Sequence, residues 1–253
     1  MTAMHVGSVV RRDRRIVALS LVGVTILAWL YLVRASADMD SAMARGISWD
    51  APRLLLTFWM WVVMMVGMML PSASPMILMF ARINRDHRGG SEPFVPTAVF
   101  TAGYVAVWAF FSLTATMLQW GLSSSELLSP ALTSTSAGFN AAVLIAAGLY
   151  QWTPLKHACL RHCQTPLGFL MTRWRDGAMG GFRMGLAHGV YCVGCCWVLM
   201  ALLFVGGVMN LLWVAALAGF VLAEKIAPPN LWLPRLAGAT LIAWGGWLAA
   251  LSL

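Results

Sequence analysis

Seven apolar runs, most of them about as long as a bilayer is thick, recur along this 253-residue chain with only short polar segments between them. They cover residues 16–33, 54–80, 96–118, 139–155, 184–205, 211–223 and 236–253. A hydrocarbon core roughly 30 Å thick takes about 20 apolar residues as a helix. Lipid offers the backbone no hydrogen-bond partner, so such runs must bond internally. The predicted fold is therefore all-α: a polytopic transmembrane helix bundle of about seven spans, forming one integral membrane domain over residues 1–253. Six spans result if one run is re-entrant or interfacial. The sixth run is short and is expected to start near Gly207. The second is long and carries Pro71 and Pro75, which predicts a kink or a tilt.

Charge supports this reading. Only 10% of the residues are charged, against roughly 25% in soluble domains. With the N-terminus inside, 14 of the 17 basic residues fall in segments on one side, from Arg11, Arg12, Arg14 and Arg15 through to Lys225 and Arg235. Arg34, Arg45 and Arg53 fall on the other. That asymmetry is an orientation signal, so the formal charge of +8 is not a nucleic-acid footprint. The first run lacks a small-residue cleavage site and is expected to be retained. The Ser/Thr-rich segment 121–138 is expected outside. Segment 157–180 is the longest inner connection, expected to include a short interfacial helix with Trp174.

Three constellations could carry chemistry. In the fifth run, at about 100° per residue, His188, Cys192, Cys195 and Cys196 fall within about 100° of one another on the wheel. Gly181, Gly185 and Gly189 share that side, where small residues admit a neighbouring helix. Leu186, Val190, Val193 and Trp197 lie opposite and read as lipid-facing. After the fourth run come Cys159 and Cys163, four apart and aligned if the helix continues past Pro154. His157 and His162 beside them read as interfacial or solvated. Both cysteine groups lie at the basic end, so they can meet without crossing the membrane. In the second run Met60, Met64 and Met68 repeat every four residues, with Met65, Met69, Met76 and Met79 widening the arc. Each group also has a packing interpretation, since buried cysteine and methionine commonly act as core fillers. Glu224 and Lys225 end the sixth run and read as an interfacial pair.

These residues resemble a bacterial family of metal-binding integral membrane proteins, some of whose members are labelled copper chaperones. The resemblance covers roughly residues 50–230. It rests on the Trp/Met-rich segment ending at Pro71, on Tyr150-Gln151, Thr153-Pro154-Leu155-Lys156, Cys159 and Cys163, and on Gly185, His188-Gly189, Tyr191-Cys192, Gly194-Cys195-Cys196-Trp197 and Glu224-Lys225. It implies metal binding, with copper the expected ion, and no established reaction.

Soft sulfur donors on inward faces near a reducing compartment favour Cu(I) over hard cations. The leading expectation is thus a Cu(I) chaperone or delivery factor of the bacterial inner membrane, multi-pass, whose partners are lipid, the metal ion and a client membrane metalloprotein. Cys159, Cys163, Cys192 and Cys195 are the first candidate ligands. His188 and Cys196 are alternates, and Met64 and Met68 are relay positions. The competing readings are a thiol–disulfide oxidoreductase using Cys192 and Cys195, a soft-metal transporter, and a structural zinc staple. No Ser/His/Asp set, phosphate loop or carboxylate pair stands out, which leaves hydrolase and nucleotide chemistry little support.

Overall fold

The computed structural model describes residues 2–43, 49–87, 94–129, 132–227 and 232–251. Arg45 and Arg88, which enter the charge asymmetry, lie outside them. The elements are α1 (Thr2–Met43), α2 (Ala51–His87), α3 (Phe94–Ser124), α4 (Ala137–Tyr150), α5 (Pro154–Gln164), α6 (Pro166–Arg173), α7 (Gly177–Ala201), α8 (Leu203–Gly206), α9 (Leu211–Ile226) and α10 (Trp232–Leu251). Among the described residues the one extended pairing is a single bridge between Leu128 and Ser134. The expected all-α fold is what forms.

Among the described residues four stretches are long and apolar enough to cross a membrane: Arg12–Ala37, Ala51–Asp86, Pro96–Ser124 and Gly177–Gly206. Their outward faces carry Leu19, Leu27, Leu30, Leu55, Trp59, Phe110, Val190 and Trp197, all exposed. Large apolar side chains in such number along helix faces suit an apolar solvent. The other three predicted runs correspond to α4, α9 and α10, which fall short of that length or hydropathy. The fourth run also divides. Pro154 disfavours helical backbone at Thr153, which is extended at φ −71° and ψ 143°. The Thr153 hydroxyl accepts the Lys156 N–H at 3.3 Å and starts α5, with Pro154 in its first turn. The fourth-run helix therefore ends before Pro154, and a new helix begins there that holds Cys159 and Cys163 four residues apart on one side.

Helix α2 runs unbroken through both of its prolines. A proline removes the bond to the carbonyl four residues earlier, so Pro71 frees the Gly67 carbonyl and Pro75 frees that of Pro71. Trp29 Nε1 of α1 donates to the first at 3.3 Å. The Ser74 hydroxyl donates to the second at 2.8 Å. Neighbouring side chains thus meet what lipid would leave unbonded. Near the basic end Arg85 of α2 pairs with Asp13 of α1.

Glycine sets the closest helix contact. A Cβ on Gly103 of α3 would collide with the Phe182 carbonyl oxygen, and one on Gly185 of α7 with that of Phe100. One on Gly189 would crowd Val107. The two backbones touch in parallel, from Phe100 and Gly185 at one end to Val107 and Gly189 at the other. Gly148 and Gly245 let α4 and α10 approach in the antiparallel sense, through Ile242 and Ile145. Helix α2 lies antiparallel on α3: Phe80 stacks on Phe100 with centroids 4.6 Å apart, and Trp61 Nε1 donates to Gln119 at 2.7 Å. Residues 125–129 and 132–136 lie at the far end, where the Ser134 N–H donates to the Phe204 carbonyl at 2.9 Å.

Gly185→Ala should therefore force α3 and α7 apart. The expected loss is about 1–3 kcal/mol, typical of overpacking, read as a lower unfolding midpoint in detergent. Gly219→Ala on α9, where a Cβ meets open space, should be neutral or gain up to about 1 kcal/mol. Equal midpoints for the two variants would refute the close-contact account.

Candidate metal centre

The parallel α3–α7 contact brings Tyr104 against the cysteine face of α7. Tyr104 is fully buried, and a buried phenol needs a partner. Its hydroxyl donates to the Met69 carbonyl of α2 at 3.1 Å and lies 3.1 Å from Cys192 Sγ. A second group reaches the same sulfur from α9. The Lys225 ammonium donates to Cys192 Sγ at 2.9 Å and to the Ser72 hydroxyl at 2.8 Å. A third group comes from α5, whose Cys163 packs beside Cys192 and Cys195. Cys192 thus has hydrogen-bond partners from α3 and α9, with α5 alongside, and it is wholly buried.

The remaining predicted residues gather around this sulfur. Cys195 and Cys196 are buried, and their thiols donate back to the Cys192 carbonyl at 3.0 and 3.1 Å. Such bonds to the preceding turn are the local option open to small polar side chains in a helix. Cys159 sits at the half-buried margin with its sulfur against Gly194, where a Cβ would stand 2.8 Å from it. Burial pushes the Cys159 thiol up from its ordinary range, and the nearby Cys195 adds to that. All five cysteines are free thiols. The Tyr150 hydroxyl donates to the Gly194 carbonyl and fixes the α4–α5 corner on α7.

His188 lies one turn before Cys192. Its ring is buried among aromatic neighbours, with centroids 5.5 Å from Tyr104, 5.8 Å from Phe169 and 6.3 Å from Phe100. Its Nδ1 is buried without a hydrogen-bond partner. A buried imidazole nitrogen left unbonded is costly, and a lone pair of that kind is what a metal ligand presents. Met64 and Met68 are buried on α2. That helix meets the cluster through the Met69 carbonyl and the Ser72 hydroxyl, and Met68 and Met64 continue the same face one and two turns farther on. Among the described residues, no three His, Cys, Asp or Glu side chains surround a common metal position.

The two histidines of α5 lie apart from the cluster. His157 has its Nε2 buried without a partner, and burial pulls its imidazole down. His162 stacks on Tyr191, with ring centroids 4.0 Å apart.

Glu224 and Lys225 do not form the interfacial pair expected of them. Both are buried, and they point to different partners. Glu224 accepts from the Lys156 ammonium with both oxygens at 2.8 Å, and the same ammonium donates to Gln151. Lys156 is entirely buried. Adjacent helical residues diverge by about 100°, so one turn of α9 holds the α4–α5 corner with its acid and the cysteines with its base. Gln164 strengthens the first attachment, donating to the Glu224 carbonyl at 2.8 Å.

Lys156, Lys225, Tyr104 and Ser72 were not among the residues singled out for the site. The available signal was a lysine at the end of the fourth run and another at the end of the sixth, because ionisable groups beside apolar spans mark internal partners. Nothing local told which partner.

Fold and site together define an all-helical protein with a buried, sulfur-rich centre built between helices. The family model described as PpoB2, copper chaperone, matches residues 58–248, a stretch that contains every residue of the centre. The chain belongs to that family. No curated protein and no solved structure matches it.

Removing one partner of the Lys156–Glu224 pair should be severe. Lys156→Met leaves a buried carboxylate and is expected to cost about 3–5 kcal/mol, whereas Lys156→Met with Glu224→Leu should recover most of that loss. Denaturation in detergent measures both. A single variant as stable as the parent chain would show that the pair bears no such charge.

Proposed function

We propose that this protein binds Cu(I) as cargo within the membrane and hands it on, with Cys192 and Cys163 as the principal ligands. The carrying observation is that Cys163 on α5 packs beside the buried Cys192 and Cys195 of α7. Thiolate sulfur is a soft donor and prefers Cu(I). A monovalent d¹⁰ ion is satisfied by two sulfurs, so a pair from separate helices suffices without a third side chain in place. Cys195 is the next donor, on rotating its thiol away from the Cys192 carbonyl. His188 with its unbonded Nδ1, Cys196 and Cys159 complete the set available at the margins. Zinc, which asks for four ligands in a closed site, is a poorer fit to this arrangement.

Lys225 has a defined part in this reading. Cu(I) held by two thiolates, after Cys163 releases its proton, carries one net negative charge. The Lys225 ammonium beside Cys192 balances that charge, which matters where the surroundings screen poorly. Met68 and Met64 continue from Ser72 along about 12 Å of α2. Their thioethers form a neutral path away from the cysteines.

The four long apolar helices and the one-sided arginines support a multi-pass protein with the cysteine end at the inner face. The family description, copper chaperone, supports delivery of the metal to a client protein, for which a membrane metalloprotein is our reading.

Metal loading of the purified, reduced protein against a Cu(I) chelator tests the proposal. The parent chain should retain about one Cu(I). Cys163→Ser and Cys192→Ser should each weaken retention at least about tenfold, and Met64→Leu should leave it unchanged. Zn(II) should not compete. Undiminished copper in the Cys163→Ser/Cys192→Ser variant would remove the centre.

A further inference from the structure

Between α6 and the first turns of α7 lies a cavity of about 720 Å³ that the copper reading does not use. His162, Arg173, Trp174, Arg175, Arg183 and Met184 line it. Three guanidinium groups therefore share one basin, and among the described residues no carboxylate stands in its wall. Asp176, the nearest acid in sequence, is turned to Trp174, whose Nε1 donates to it at 2.9 Å.

The basin is organised by the fold. Gly177 adopts φ +78°, a left-handed conformation suited to glycine, and begins α7. A Cβ on Gly180 would strike the backbone of Arg175, so the connection lies close on the helix. The Arg175 N–H donates to Met184 Sδ at 3.2 Å. Arg173 donates to the Tyr191 hydroxyl at 2.8 Å and lies 5.4 Å over that ring, on which His162 also stacks. Arg173 is thus held by the protein. Arg175 and Arg183 stand on the same basin, exposed.

We infer that this basin binds a phosphate-bearing anion, with the headgroup of an anionic phospholipid as its ligand. Guanidinium groups present planar forks of donors that match phosphate oxygens. Three of them in one cavity repel one another until an anion enters. The lipid source follows from the surroundings. Leu167 and Met171 of α6 and Met179 of α7 are exposed apolar side chains on the same short hairpin. A short helix with bare apolar residues beside clustered arginines is the arrangement by which a protein meets an anionic membrane surface. The cavity is of small-ligand size.

Binding to the full-length protein in neutral detergent tests this, using short-chain phosphatidylglycerol, short-chain phosphatidylcholine and inorganic phosphate as probes. Phosphatidylglycerol should bind at least about tenfold more tightly than phosphatidylcholine. Arg175→Gln/Arg183→Gln should remove that preference while helical content and copper retention stay unchanged. Arg53→Gln, at the far end of α2, should have no effect. Inorganic phosphate that binds in the parent and not in the double variant also supports the site and assigns recognition to the phosphate alone. Equal binding of the two lipids with no phosphate binding, or a preference that survives the double variant, would overturn the inference.

Discussion

Two ammonium groups buried beside the helices govern how this molecule is arranged. Lys156 and Lys225 lie away from solvent, and a buried cation is tolerated only when it is paired and hydrogen-bonded. Lys156 takes both oxygens of Glu224 together with Gln151. Lys225 takes the sulfur of Cys192 together with Ser72. Because Glu224 and Lys225 are neighbours, a single turn of α9 is fastened in two directions. One leads to the corner between α4 and α5, the other to the cysteine face of α7 and the proline segment of α2. The position of Cys163 relative to Cys192 depends on both attachments.

Close backbone contact supplies the second requirement. Gly103, Gly185 and Gly189 let α3 and α7 touch, and this contact sets Tyr104 one hydrogen bond from Cys192. In the apolar solvent that these outer faces suit, helix association gains little from hydrophobicity. Shape and a few polar bonds must do the work. The chain spends its polar residues accordingly: Trp29 and Ser74 on carbonyls freed by proline, Gln119 on Trp61, Tyr104 on a sulfur and a carbonyl. The result is a centre held by groups that are themselves held.

Much of this was legible in the order of residues. The helical class followed from apolar runs, because unbroken hydrophobicity in lipid admits little else. The inward side of α7 followed from the wheel: His188, Cys192, Cys195 and Cys196 are buried, while on the opposite side Val190 and Trp197 are exposed and Leu186 and Val193 only half-buried. The α4–α5 break was less legible. Pro154 was visible, but whether it kinks a helix or starts a new one depended on the Thr153 cap and on where Lys156 had to reach. Glu224 and Lys225 were misread as a pair with each other. Adjacent opposite charges suggest mutual contact, yet neighbours on a helix face different ways and each found a partner elsewhere.

The sequence by itself determined the class of fold, the burial of the cysteine face and the soft chemistry of its donors. These depend on local periodicity and on what each side chain is, and neither needs a distant residue to be known. Only the tertiary structure decided that Cys163 meets Cys192, that Lys225 rests on that sulfur, and that Arg173, Arg175 and Arg183 share a basin. Each is a contact between separate segments. Such contacts are fixed by helix crossings and backbone approach, which residue spacing along the chain does not encode.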